Sequence, residues 1–115
     1  MIINGVELQD LDIYDLEVAE KFDKELKVVA GVGEKLEGLS TPEVIRTQCT
    51  AIFKFFNELF GEGTDKKVFG ERVNLVICLK ALDEFVSQIR EQKGRIEEIS
   101  NKYSPNRVQR RSKKS

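Results

Sequence analysis

Cys49 and Cys78 are the only thiols in this chain of 115 residues, which also carries 20 carboxylates and no histidine. These are the residue types that could do chemistry, and their pattern restricts what chemistry is open to them. Without histidine the chain lacks the side chain most used for proton transfer near neutral pH, and it can build neither a Ser-His nor a Cys-His nucleophilic pair. The two cysteines sit among apolar neighbours in separate helical patterns, with no CxxC spacing. They read as small core residues in a reducing compartment and not as a disulfide or redox couple. Two thiols without histidine cannot hold zinc unless carboxylates supply most of the coordination, so no metal is expected. The carboxylates are dispersed on polar helix faces and read as solubilising charges, so no catalytic residue and no cofactor are expected either.

Three stretches imitate binding motifs. Gly31-Val32-Gly33-Glu34-Lys35-Leu36-Glu37-Gly38 has the glycines of a phosphate-cradling loop. It follows no strand, lacks the GK[ST] ending and carries two glutamates that would repel phosphate, so it reads as a plain loop. Asp10, Asp12, Asp15 and Glu17 suggest calcium, but apolar residues interrupt them and the midway glycine of a calcium loop is missing, which leaves capping acids beside a helix start. The last twelve residues hold Arg107, Arg110, Arg111, Lys113 and Lys114 with no acid, so a net charge of -1 divides into +5 there and -6 over residues 1–103. Five cations could contact phosphates, but the tail has no aromatic for base stacking and the acidic body would oppose binding. Nucleic acid is therefore not the expected partner.

The elements that carry these residues follow from turn chemistry and apolar period. Ile2-Ile3, Asn4-Gly5 and Val6-Glu7-Leu8 predict a β-hairpin, since Asn and Gly both tolerate the positive φ of a type I′ turn. The second strand either runs on through Leu11 and Ile13 or gives way to an extended lead-in. From Asp15 the period becomes helical, with Leu16, Ala19, Phe22, Leu26 and Val29 recurring, Asp12 or Asp15 as N-cap and Gly31 or Gly33 as the stop. Ser40-Thr41-Pro42-Glu43 predicts a capping box, with Pro in the first turn, for a second helix that ends at Gly61. Its stripe is Ile45, Cys49, Ile52, Phe56 and Leu59; Val44 and Phe55 widen it on one margin, Phe53 and Phe60 on the other. Thr64 and Asp65 can cap a short helical turn through Phe69, closed by Gly70. Asn74 caps the longest helix, with stripe Leu75, Leu79, Leu82, Val86 and Ile89 flanked by Cys78 and Phe85, and with Val76 and Ile77 making its first turn apolar nearly all round and buried. Gly94 softens that helix, beyond which Ile96, Ile99 and Tyr103 keep a narrower stripe.

The expected fold class is mainly α: a small helical bundle with a short N-terminal β-hairpin, one domain over residues 1–103, and a disordered basic C-terminal tail over 104–115. No apolar run approaches the roughly 20 residues of a membrane span, and the N-terminus has no secretion-signal pattern, so a cytoplasmic protein is expected. With chemistry set aside, apolar surface remains. Phe53 and Phe55 stand on opposite margins of the second helix, and the one left uncovered is a candidate protein contact, together with Phe60, Ile96, Ile99 and Tyr103.

Three stretches, INGVELQDLDIYDLEVAEKF, FNELFGEGTDKKVFGERVNL and YSPNRVQRR, resemble small proteins of tailed phages and prophages of Gram-positive bacteria, namely the tail assembly chaperones. The resemblance covers about half the chain. It implies a helical protein that binds the long, aggregation-prone tape measure protein, yields it to major tail protein subunits as the tube polymerises, self-associates, works in the host bacterial cytoplasm and has no active site. It also implies a longer product made by ribosomal frameshifting in many long-tailed phages. Two other readings compete: a small nucleic-acid-binding or regulatory phage protein using the basic C-terminal tail, and a carboxylate-dependent activity in a loop.

Overall fold

Asn4 and Gly5 both take positive φ, 52° and 76°, so the chain reverses in the tight turn their side chains permit. The computed structural model describes residues 1–103, and in it this turn joins β1 (Ile2–Ile3) to β2 (Val6–Glu7) as an antiparallel pair, with Ile3 opposite Val6. The ladder is short. What fixes the hairpin is its apolar side, where Ile3 is wholly buried, and its tip: the Asn4 amide N–H donates to Glu84 Oε1 at 2.7 Å, and Asn4 Nδ2 donates to the Val68 carbonyl at 2.8 Å. The second strand does not run on. Leu8, Leu11 and Ile13 are buried along a non-strand lead-in, and Asp15 then caps α1 (Leu16–Gly33) by accepting from the Glu17 N–H.

Ser40 begins α2 (Thr41–Phe60) with a reciprocal capping box. The Glu43 N–H donates to Ser40 Oγ at 3.4 Å, and the Ser40 N–H donates to Glu43 Oε1 at 3.1 Å. Hydrogen bonding from the Ser40 side chain, and then from the Ser40 N–H, favours the ionised carboxylate and holds Glu43 below its ordinary pKa, so this contribution is present above the carboxylate range and fades as pH falls through it. Gly61 ends the helix at φ 113°, a conformation that a residue with a Cβ adopts only with strain. The short α3 (Thr64–Phe69) has Gly63, and not Thr64 or Asp65, at its N-cap position; its first turn is satisfied by Asn57, on α2, which accepts from the Asp65 N–H at 2.9 Å, and by Asp65 Oδ1, which accepts from the Lys66 N–H at 2.8 Å. Asn74 starts α4 (Leu75–Lys102) by accepting from the Ile77 N–H at 3.1 Å, and the helix continues through Gly94 without a break.

All seven Phe residues join one network of ring contacts. Phe85 on α4 meets Phe22 of α1 edge-on at 5.8 Å and Phe55, Phe56 and Phe60 of α2 at 5.5 to 5.9 Å. Phe56 in turn meets Phe69 of α3 at 5.7 Å. Quadrupoles favour these edge-to-face geometries, so the cluster gains specificity beyond the area it buries. In the same unit, Cys49, Ile52, Cys78 and Ala81 are buried as well.

The buried ridge of α4 differs from the one its periodicity predicts. It consists of Cys78, Ala81, Phe85 and Ile89, while Leu79 is 45% exposed and Leu82 and Val86 are half-buried. The first turn of α4 is not buried either: Val76 is 59% exposed and Val73, just before it, 53%. Leu16, read as the first member of the α1 stripe, is exposed too.

The chain divides into two compact units, Met1–Phe85 and a second that begins at Val86 and, within the described residues, consists of the distal part of α4. Beyond Ile89 no described residue of that helix is buried. Among the described residues no helix is long and apolar enough to cross a membrane. The expected basic tail, residues 104–115, lies outside the described residues.

Candidate functional site

The thiols can be placed first, because they are the chain's most reactive side-chain type. Cys49 on α2 and Cys78 on α4 are both wholly buried and free. Burial, reinforced by a hydrogen bond between the two thiols, pushes Cys78 up to about 12. A thiol so placed is not a nucleophile, since only the thiolate attacks. Both cysteines are expected to resist an aromatic disulfide reagent in the folded protein at mildly alkaline pH and to react together once the protein is unfolded. Because the folded-state pKa of Cys78 lies above its ordinary 9.0, stability should hold below that pH and decline as pH rises toward 12. Thiol labelling in the native state at a rate independent of unfolding would contradict this placement. No group of three or more His, Cys, Asp or Glu among the described residues is arranged to hold a metal ion.

The apolar candidates separate cleanly. Phe55 is 0% exposed: α1 covers its flank through Phe22, whose ring lies 6.4 Å away, so Phe55 is a core residue and not a contact residue. The periodicity of α2 treats its two margins alike, and the position of α1 is what distinguishes them. Phe53, on the opposite margin, is half-buried and has Phe69 beside it at 5.1 Å. Phe60 is also half-buried, stacked on Phe56 with an interplanar angle of 18°, and so belongs to the edge of the ring cluster.

Phe53 forms one wall of an open groove lined also by Pro42, Ile45, Arg46, Thr50 and Val73, with a volume of about 570 Å³. Farther along α2 the surface turns acidic. Phe53 and Thr50 also line a second depression with Lys54, Asn57, Glu58, Glu62 and Asp65. Among the described residues none of these three carboxylates forms an ion pair. The first depression is thus mainly apolar with Arg46 on its lining, and the second carries Lys54 beside its three carboxylates.

Ile45 belongs to the apolar stripe that predicts core, and Val73 stands outside every predicted stripe, so sequence pattern alone does not bring the two into one groove. The available signal was a β-branched residue immediately before the Asn74 cap, with apolar Val76 and Leu79 continuing at helical spacing. On the distal part of α4, Ile96 and Ile99 lie on one helical face and are exposed, the latter at 55%, and Tyr103, just past the helix end at Lys102, is 74% exposed. Arg107, Arg110, Arg111, Lys113 and Lys114 lie outside the described residues.

Residues 4–114 match the model of a single protein family, described as a family of unknown function, over a span that takes in every groove residue and the whole distal helix. The chain belongs to the DUF6673 family. Comparison with curated proteins and with solved structures finds no match. In this DUF6673 member the apolar groove lies on α2 and before the start of α4, within the first compact unit, and the exposed apolar residues of the distal helix lie in the second.

Proposed function

We propose that this DUF6673 protein is a tail assembly chaperone of a tailed phage or prophage: it binds the tape measure protein, keeps it from aggregating, and releases it to major tail protein as the tube grows. The observation that carries this reading is the apolar groove on α2, lined by Phe53, Ile45 and Val73 and left open in the single chain. A client made of long amphipathic helices presents apolar residues every three or four positions, and such a helix is the natural occupant of a groove of this kind. The likeness of three stretches of the chain to tail assembly chaperones supplies the phage context. On this reading the protein acts without catalysis, in the host bacterial cytoplasm, and as an assembly of copies on one client.

The reading predicts a tape measure gene immediately downstream of this one. A gene neighbourhood with no tail genes would sink the phage assignment. A second reading rests on the five acid-free cations after Ser104 and makes the chain a nucleic-acid-binding or regulatory protein. Submicromolar affinity for duplex DNA that falls steeply with added salt would favour it over the chaperone.

A further inference from the structure

We infer that the α2 groove selects, by charge, an amphipathic helix of a partner protein whose two ends carry opposite signs. Its carboxylates lie against Arg46, its apolar stripe over Ile45, Phe53 and Val73, and its Lys or Arg residues against Glu58, Glu62 and Asp65. This rests on reading the groove as a protein-contact surface and adds the charge pattern of the occupant. Thr50 and Phe53 line both depressions, so the two form one continuous trough along α2.

The apolar middle alone would accept any amphipathic helix, and the charges narrow the choice. Arg46 is the charged residue on the lining of the first depression. Lys54, Glu58, Glu62 and Asp65 line the second, one cation against three carboxylates, which leaves that end at a net -2. Among the described residues none of these five side chains forms an ion pair, and all but Asp65 are exposed. Neighbouring charges do not cancel the pattern. Glu43, in the first turn of α2, accepts from the Ser40 N–H in the capping box and is not part of the lining. Glu71, near Val73 in the chain, is paired with Lys66 at 3.5 Å, and Arg72 has the same sign as Arg46. The backbone dipole of α2 runs in the same sense, positive toward Pro42 and negative toward Glu58. Arg46 and Glu58 stand twelve positions apart, about 18 Å at the α-helical rise. That exceeds the Debye length of about 8 Å at physiological salt, so the occupant meets the two ends separately. A uniformly charged helix therefore gains at one end and loses at the other, whereas a helix with acids and bases about three turns apart gains at both.

Anisotropy titrations of the full chain with three dye-labelled synthetic helices test this. The three share one apolar stripe and differ only in their end charges: acidic at one end and basic at the other, acidic at both, or basic at both. The mixed helix should bind about three- to tenfold more tightly than either uniform one, the scale of a few surface ion pairs, and its advantage should shrink with added salt. Arg46→Glu makes both ends of the trough negative and should make the all-basic helix the tightest binder. Glu58→Lys combined with Glu62→Lys makes both ends positive and should favour the all-acidic helix instead. All three positions are exposed, so the fold is retained, with helicity by circular dichroism as the check. A wild type that prefers a uniform helix, or an order of affinities that neither charge exchange alters, overturns the inference. Equal affinity for all three helices, lost in Phe53→Ser, would refute the charge selection and leave the groove standing as a docking site. Binding to none of the three would overturn the inference and the reading of the groove together.

Discussion

Replacing Phe56 with Ala should remove about 3–5 kcal/mol of folding stability, the upper range for a cavity-forming substitution. The ring is wholly buried and touches Phe55 and Phe60 within α2, Phe69 of α3 and Phe85 of α4, so its removal leaves a cavity that no one neighbour can fill. Domains of this size have about 5–15 kcal/mol in total, so the variant should sit close to its unfolding transition, with a melting temperature lower by about 15–30 °C. Urea titration followed by circular dichroism measures this. A loss of less than about 1 kcal/mol would mean that the surrounding rings collapse into the space and that the cluster does not define the core.

The second large effect is a contrast between neighbours. Phe55→Ser both empties a packed site and strands a hydroxyl among rings, a combination expected to cost more than about 4 kcal/mol and to unfold the protein. Phe53→Ser gives up a half-buried ring and its contact with Phe69, about 1–2 kcal/mol, and should stay folded while losing the apolar wall of the groove. Thermal melts of the two variants side by side read the difference. Equal melting temperatures would contradict the covering of Phe55 by α1.

That contrast also shows how far local sequence could go. Elements fixed by short-range chemistry were legible: the Asn4-Gly5 turn, the Ser40 and Glu43 capping box, the stop at Gly61, the short helix closed by Gly70 and the Asn74 cap all lie where residue types place them. The rotational setting of α4 was not. Leu75, Leu79, Leu82 and Val86 form as regular a stripe as Cys78, Ala81, Phe85 and Ile89, and periodicity has no means of choosing between faces about one residue apart. Volume decides: Phe85 is the ring that reaches both α1 and α2, while small Cys78 and Ala81 can lie wholly buried beside it. The margins of α2 were undecidable for the same reason, since only the placement of Phe22 tells Phe55 from Phe53. The candidate groove needed Val73 brought beside residues thirty positions earlier, which is tertiary information. The distal residues Ile96, Ile99 and Tyr103 could be read directly, because an apolar stripe on a helix that outlasts its buried ridge is visible in the sequence.

Co-expression with the tape measure protein that the proposed function predicts in the neighbouring gene tests the central proposal, that this protein binds a helical client through the α2 groove. Wild type should keep the tape measure protein soluble and co-purify with it, and folded Phe53→Ser should leave it in the pellet. A tape measure protein that precipitates equally with wild type and with no partner at all, or one that both wild type and Phe53→Ser hold in solution, would contradict the account.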